Sequence, residues 1–239
     1  MFVNSTHSTN TLMKELIAAG NPPKFIYTGY QTAGRGQTGN SWESEPNKNL
    51  LCSILLPPTN EPFYLNVAVS VAVQRLCGEE VTIKWPNDIY WGDQKLAGIL
   101  IENAIMGAEV QHAIAGIGLN VNQTEWHSEA PNPISLKQIG GKTLDLDELM
   151  ERLLDEIQIV LSTPQEEVWA YYKAHLYRRT FFWPFVEREV STAPTMNANA
   201  NANAFMACIK DVLPSGEIIL LDREGNERKY HFKQVRYVL

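Results

Sequence analysis

Two strand-like runs, residues 95–104 and 112–121, lie end to end around Gly107 and constrain the fold of this chain more than any other stretch. Each is about ten residues long and rich in Ile, Leu, Ala and Val. Such a pair, broken only by a turn residue, predicts two long strands joined around Gly107 within a meandering, mainly antiparallel sheet. The surrounding segments supply neighbours for it. Residues 24–30 and 49–56 read as strands, the second closed by Pro57 and Pro58. Residues 81–85 and 89–91 read as short strands separated by a Pro86-Asn87-Asp88 turn, and Val3 with Asn4 opens like another short strand. Residues 62–77 carry an almost unbroken apolar series that is too long for one strand, so a well-buried helix is predicted there.

Helices are expected at three further places. Ser8, Thr9 and Asn10 are good helix caps, followed by Leu12, Leu16 and Ile17 at helical spacing and by Gly20, Pro22 and Pro23 as stop signals, which predicts a helix over about 9–19. Residues 145–161 place Leu146, Leu149, Met150, Leu153, Leu154, Ile157 and Val160 on one face, and Asp145 and Glu148 have capping-box spacing. Pro164 can open a fourth helix, 164–177. Past residue 180 the pattern changes to short strands punctuated by Pro214-Ser215-Gly216 and Arg223-Glu224-Gly225-Asn226. The expected architecture is α+β, a mixed and mainly antiparallel sheet with helices over residues 1–180, and a small β-barrel over 181–239. Residues 197–204 repeat Asn-Ala four times, have little to bury, and read as a flexible loop whose native or engineered origin the sequence leaves open.

At 239 residues the chain can bury a sizeable core. A formal net charge of −7 argues against a general nucleic-acid binder. No apolar stretch approaches the roughly 20 residues of a membrane span, and the first residues lack the build of a signal peptide. Cys52, Cys77 and Cys208 are odd in number and set among apolar residues, so they read as reduced core residues of a cytoplasmic protein.

The chemistry concentrates in four motifs. Residues 29–42 hold Gly29, Gly34, Gly36 and Gly39 around a single arginine, Arg35. Glycine tolerates φ > 0 and lets backbone amides approach an anion, so this loop could fold over phosphates or simply be a surface loop. Further along stand Lys84-Trp85-Pro86-Asn87-Asp88, Lys95-Leu96-Ala97-Gly98-Ile99-Leu100 and Gly116-Ile117-Gly118-Leu119-Asn120. Alternation in residues 81–85 puts Lys84 on the face opposite Val81, Ile83 and Trp85, which suits a site or solvent equally. Asn87 and Asp88 could offer oxygen ligands to Mg²⁺ or serve only as a turn.

Taken in order with Ser8-Thr9-Asn10, these motifs resemble the biotin protein ligases over about the first 180 residues. The pairing of Lys84–Asp88 with Lys95–Leu100 is the most specific part of the likeness. The resemblance implies a class II aminoacyl-tRNA synthetase-like catalytic domain and a C-terminal SH3-like barrel. It implies a two-step reaction: biotin and ATP give biotinyl-5′-AMP and pyrophosphate, and the acyl group then passes to a lysine of a biotin carboxyl carrier domain. By the same resemblance, Lys95, Arg35, Lys84 and Asp88 would be catalytic, and Asp88 would hold Mg²⁺. Biotin would meet Ser8, Thr9, Asn10, Gln31, Gly34, Arg35, Gly36, Gln37, Lys95 and Gly98. The adenylate would meet Arg35, Trp42, Lys84, Asn87, Lys95 and Asn120. Trp42 could be a lid over the adenine or ribose, or a core residue.

Two features depart from the family pattern. Many relatives carry a second arginine where this chain has Gln37, so weaker retention of biotinyl-AMP is expected here. Some relatives carry an N-terminal DNA-binding domain, for which Ser8 comes too early; no nucleic-acid and no membrane partner is expected. Relatives also often pair through the edge of the central sheet, so a homodimer is a further expectation. Two alternatives stand beside the ligase: a lipoate or octanoyl transferase on the same fold, whose own signature loop is missing here, and a non-catalytic biotin or nucleotide sensor.

Overall fold

A computed structural model describes residues 1–37, 40–106, 109–128, 132–188 and 204–238. The expected pair of long strands is its spine. Strands β6 (Gln94–Met106) and β7 (Glu109–Leu119) pair antiparallel, and Gly98 stands opposite Gly118 and Leu100 opposite Gly116. The turn expected at Gly107 lies outside the described residues. On one side β7 pairs with β3 (Leu50–Leu56), which pairs with β2 (Phe25–Thr28); β1 (Phe2–Val3) then adds in parallel. On the other side β6 pairs with β5 (Asp88–Trp91), and β5 with β4 (Val81–Lys84). The result is a seven-stranded sheet, mixed and mainly antiparallel as expected, in the order β1-β2-β3-β7-β6-β5-β4.

The two faces of this sheet do different work, because side chains alternate along a strand. Cys52, Ile54 and Leu56 of β3, Ile99 of β6, and Ala113, Ala115, Ile117 and Leu119 of β7 join the main core. That core is closed by α2 (Pro62–Cys77) and α4 (Leu146–Ser162), which pack on each other. The α4 stripe buries Leu149, Met150, Leu153, Ile157 and Val160. The opposite face is covered only in part, by α1 (Thr9–Ala18), whose Met13 sits with Ile26 and Ile114 in a small second cluster. The remainder of that face carries Gly98, Gly116 and Gly118 and forms the floor of a cavity.

Several boundaries differ from the expected ones for physical reasons. The helix predicted over 164–177 is α5 (Gln165–Ala174). It stops because the chain after it bonds to the sheet edge: Ile83 donates to the His175 carbonyl and Tyr177 donates to the Ile83 carbonyl, each at 2.9 Å. An open edge on β4 is thereby covered. Asp145 caps α4 by accepting from the backbone N–H of Asp147 and Glu148, but the reciprocal half of a capping box forms elsewhere. It is Ser135 and Gln138 that cap each other's backbone at the short helix α3 (Leu136–Gly140), an element with too little apolar periodicity to predict.

The C-terminal residues form a five-stranded antiparallel sheet, β8 (Trp183–Glu187), β9 (Ala204–Val212), β10 (Ile218–Asp222), β11 (Glu227–Tyr230) and β12 (Val235–Tyr237), in the order β11-β10-β9-β8-β12. This is the small β unit expected after residue 180. Trp85 ties it to the larger sheet, its indole N–H donating to the Gly216 carbonyl at 3.1 Å. Of the Asn-Ala repeat, only Ala204 lies within the described residues. No helix is long and apolar enough to cross a membrane among the described residues.

Leu153 has no exposed surface at the centre of the α2–α4 contact. Leu153→Ala should therefore destabilise the protein by about 2–5 kcal/mol; urea unfolding of the two proteins measures the loss.

Candidate functional site

The partly covered face of the sheet, α1, the glycine loop and the C-terminal sheet enclose one cavity of about 780 Å³. Nearly every expected site residue lines it: Ser8, Thr9, Asn10, Gln31, Arg35, Gly36, Gln37, Trp42, Lys84, Asn87, Asp88, Lys95, Gly98 and Asn120. Gly34 does not. A Cβ on Gly34 would lie 2.4 Å from the Trp42 carbonyl oxygen, so this glycine closes the neck of the loop, where Trp42 donates its N–H to the Gly34 carbonyl. None of Gly29, Gly34 and Gly36 has positive φ. Of the two uses of glycine expected in this loop, close approach and positive φ, these three show the first. Gly39 lies outside the described residues.

One end of the cavity is a neutral hydrogen-bonding cradle. The Thr9 backbone N–H donates to Gln31 Oε1 at 2.8 Å, and the Thr9 hydroxyl reaches the same oxygen at 3.2 Å. Ser53, buried on β3, donates to Thr9 Oγ1 at 2.7 Å or to Asn10 Oδ1 at 2.5 Å. Asn10 lies directly on the sheet, since a Cβ on Gly116 would be 2.4 Å from Asn10 Oδ1. Ser8 stands at the N-cap of α1 without making a side-chain cap bond. It lines the cavity without that competing duty.

The middle of the floor is aromatic. The Trp42 indole lies over the Gly98 and Gly118 pair: a Cβ on Gly118 would be 2.4 Å from Trp42 Cε2, and one on Gly98 would be 2.8 Å from Cζ3. These two glycines give Trp42 its seat, just as Gly116 seats Asn10. The Trp42 indole N–H is buried with no hydrogen-bond partner among the described residues, and so are the Trp126 indole N–H and Asn120 Oδ1. Unpaired buried polar atoms are rare in folded proteins. Four such atoms, the Tyr237 hydroxyl among them, belong to residues that line this cavity. Asn120 spends its amide N–H groups on the Ile134 carbonyl at 3.0 Å and the Lys95 carbonyl at 3.3 Å, leaving only an acceptor.

The far end is cationic. Lys95 Nζ pairs with Asp88 at 2.8 Å and stands 5.8 Å from the Trp42 ring centre. Lys84 lies on the face opposite Ile83, as alternation in β4 implies, and of the two settings left open, site or solvent, it takes the cavity. It donates to the Tyr90 hydroxyl at 2.9 Å and sits 4.4 Å from the Tyr90 ring centre and 5.3 Å from that of Tyr237. Burial there pushes its pKa down to about 8, against a smaller upward pull from Asp88. Asn87 is committed locally, donating to Asn66 at 2.8 Å and accepting weakly from Gln37 at 3.5 Å. As to Mg²⁺, the cavity wall offers two carboxylates among the described residues, Glu43 and Asp88. Glu43 is occupied by the backbone N–H of His127 and Ser128 at 2.7 and 2.8 Å. Asp88 alone suits a cation that arrives on substrate phosphates and keeps most of its ligands there.

Several lining residues escaped the sequence reading. Arg188, Phe232, Lys233, Arg236 and Tyr237 come from the C-terminal sheet, Trp126 from the 121–135 segment, and Tyr90 from β5. Trp126, a large aromatic in a polar segment, was the one with a visible signal. The others reach the cavity only through long-range packing.

Fold and cavity together define an α+β domain with a cleft that joins a neutral polar cradle to a pair of lysines across a glycine floor. Residues 2–120 match the sequence profile of the biotin/lipoate A/B protein ligase family, and the chain carries a domain of that family there. It is 28% identical over 174 residues to the bifunctional ligase/repressor BirA of Escherichia coli, covering 69% of this chain and 54% of that protein. It is 30% identical over 169 residues to a biotin–[acetyl-CoA-carboxylase] ligase of Mycobacterium tuberculosis, covering 65% and 61% respectively. The chain spans about half the length of the first curated relatives it matches. In structure it resembles the biotin protein ligase from Aquifex aeolicus in complex with biotin and ATP, with a TM-score of 0.74 at 22% identity, over 100% of this chain and 98% of that one. The Leishmania major biotin protein ligase in complex with biotin gives a TM-score of 0.64 at 18% identity, covering 96% of each chain.

The Lys84 shift has a checkable sign. Its folded pKa lies below the ordinary 10.5, so the charged side chain is the costly form in the folded protein, and stability improves as pH rises from about 8 toward 10.5. Its attraction for an anion runs the other way. We expect the affinity for pyrophosphate, used as a probe anion, to fall as pH rises through about 8. Lys84→Met should lower the value at pH 7 and remove that limb of the profile.

Proposed function

We propose that the protein is a biotin–carrier-protein ligase, which activates biotin with ATP to biotinyl-5′-AMP and transfers the acyl group to a lysine of a biotin carboxyl carrier domain. The observation that carries this reading is the single cavity with a neutral cradle at one end and Lys84 and Lys95 at the other. A ureido ring needs both donors and acceptors but no charge, and Thr9, Asn10, Gln31 and Ser53 offer that mixture. An acyl phosphate needs positive charge where two anions meet.

In the first step a biotin carboxylate oxygen attacks the α-phosphorus of ATP, and the bond to the bridging oxygen of pyrophosphate breaks. Lys95 would stabilise the charge that builds on the phosphoryl oxygens, and Lys84 would hold the phosphates. Asp88 would hold Mg²⁺, which when bound neutralises phosphate charge. Asn120 Oδ1 would accept from the adenine amino group or a ribose hydroxyl, and Trp42 forms the wall between the two ends. In the second step the carrier lysine's amine attacks the acyl carbon, AMP leaves with the bonding pair, and the amine loses a proton. Neither step needs an enzyme nucleophile.

Purified protein mixed with biotin, ATP and Mg²⁺ should release pyrophosphate, and lipoate in place of biotin should not support release. Lys95→Met should lower the rate by about 10²–10³-fold. A protein that binds biotin but releases no pyrophosphate is a sensor, and that result would overturn the reading.

Gln37 supplies a second test. Its side-chain hydrogen bond among the described residues, to Asn87, is long, and it brings no charge where many relatives have arginine. Gln37→Arg should slow release of biotinyl-AMP about tenfold, the worth of one charge-assisted hydrogen bond. Equal off-rates in the two proteins would show that the position does not govern retention.

A further inference from the structure

Arg35 is the cation at the centre of the glycine loop, yet its guanidinium is spent on protein. Nη1 donates to Glu102 Oε2 at 3.2 Å and Nη2 to Oε1 at 2.9 Å, a two-pronged pairing. Glu102, on β6, takes two more donors: Lys14 Nζ at 2.7 Å and Asn10 Nδ2 at 2.9 Å. The shorter Glu102 contact, with a longer one to the Leu100 carbonyl at 3.4 Å, turns Asn10 Nδ2 toward β6 and leaves Oδ1 for Ser53 at 2.5 Å. Burial works against the Glu102 charge, but the bonds from Lys14, Asn10 and Arg35 hold its carboxyl below the usual glutamate range. An exposed ion pair is ordinarily worth little; a forked pair inside a network of charges is the exception.

We propose that Arg35 and Glu102 form a positioning clasp: Arg35 fastens the glycine loop to β6 and α1 through Glu102, and Glu102 orients Asn10 for the ligand. The direct charge on the phosphates then comes from Lys95 and Lys84. The loop is pinned at its other shoulder by a second carboxylate, Glu43, on the backbone N–H of His127 and Ser128. An antiparallel bridge between Arg35 and Ser41 joins the two shoulders, so fastening one steadies the other. Lys14 keeps the Glu102 carboxylate ionised and so keeps the clasp armed. The role of Asn10 toward a ligand rests on the proposed biotin ligase function; the fastening of the loop does not.

The test is a double-mutant cycle of Arg35→Gln and Glu102→Gln, with Arg35→Lys as a further variant and melting temperatures confirming that each protein is folded. Amide hydrogen exchange over residues 29–43 is read on the protein alone, and KM for biotin and kcat on the reaction. Each single variant should speed exchange in the loop and raise KM for biotin about tenfold, with kcat at saturating biotin changed less than about threefold, because contacts made before chemistry govern KM. The double variant should be no worse than the worse single, as for residues that act as one unit. Arg35→Lys, which keeps the charge but loses the fork, should fall with Arg35→Gln. Additive losses, or a kcat loss near a hundredfold in Arg35→Gln with loop exchange unchanged, would show that Arg35 acts directly on the anion and overturn the clasp. If the wild-type protein released no pyrophosphate, the ligase reading would fail while the exchange data still judged the fastening.

Discussion

Close approach across the glycine positions of the central hairpin is the constraint on which the site depends. Gly98 and Gly118 face each other in register on β6 and β7, with Gly116 one step along the same face. Any side chain there would occupy the space taken by the Trp42 indole or the Asn10 amide. The opposite face of the same two strands carries Ile99, Ile117 and Leu119 into the core. A single pair of strands is thus fully committed on one side to holding the protein together and bare on the other. That division lets a cavity open at the middle of a sheet that α2 and α4 anchor rigidly from behind.

The electrostatics of the cavity follow from what that floor leaves room for. Cations approach from its edges, Lys84 from β4, Lys95 from the start of β6, and Arg188, Lys233 and Arg236 from the C-terminal sheet. The loop across the cavity mouth contributes little charge, because its arginine is held by Glu102 and the next candidate position is Gln37. The chain as a whole is acidic at −7, so positive potential is a local property of this cavity and not of the surface. Carboxylates meanwhile serve as fasteners: Glu102 and Glu43 each accept several N–H donors and tie the loop to separate parts of the domain.

Much of this was legible in the sequence. The strand and helix order emerged from periodicity, because apolar residues in 62–77, 95–104 and 112–121 have only one way to be buried. The motif residues converge on one cavity because they share one side of the sheet: Lys84, Asp88, Lys95 and Asn120 at strand ends, Gly98 and Gly116 within strands, and Thr9 and Asn10 on the helix above. What could not be read was partnership at long range. Nothing in the sequence says that Glu102 answers Arg35 across 67 residues, or that Phe232 and Lys233 return to the cleft. Which of its two uses each loop glycine serves is hidden for a related reason. Composition shows that a glycine is present, but only packing shows whether it serves a left-handed turn or, as at Gly34, a close neighbour.

The alternation of β4 has a consequence for how the two sheets can vary. Lys84 points into the cavity, while the next residue, Trp85, turns away to bond the Gly216 carbonyl in the C-terminal sheet and to meet Phe232 edge-on at 5.8 Å. Adjacent residues on one backbone cannot move independently. The small sheet therefore sets the height at which a cavity lysine stands, and it is not an interchangeable module. Recombining it with a foreign first domain would carry over its strands but not the setting of that lysine, which two tryptophan contacts encode.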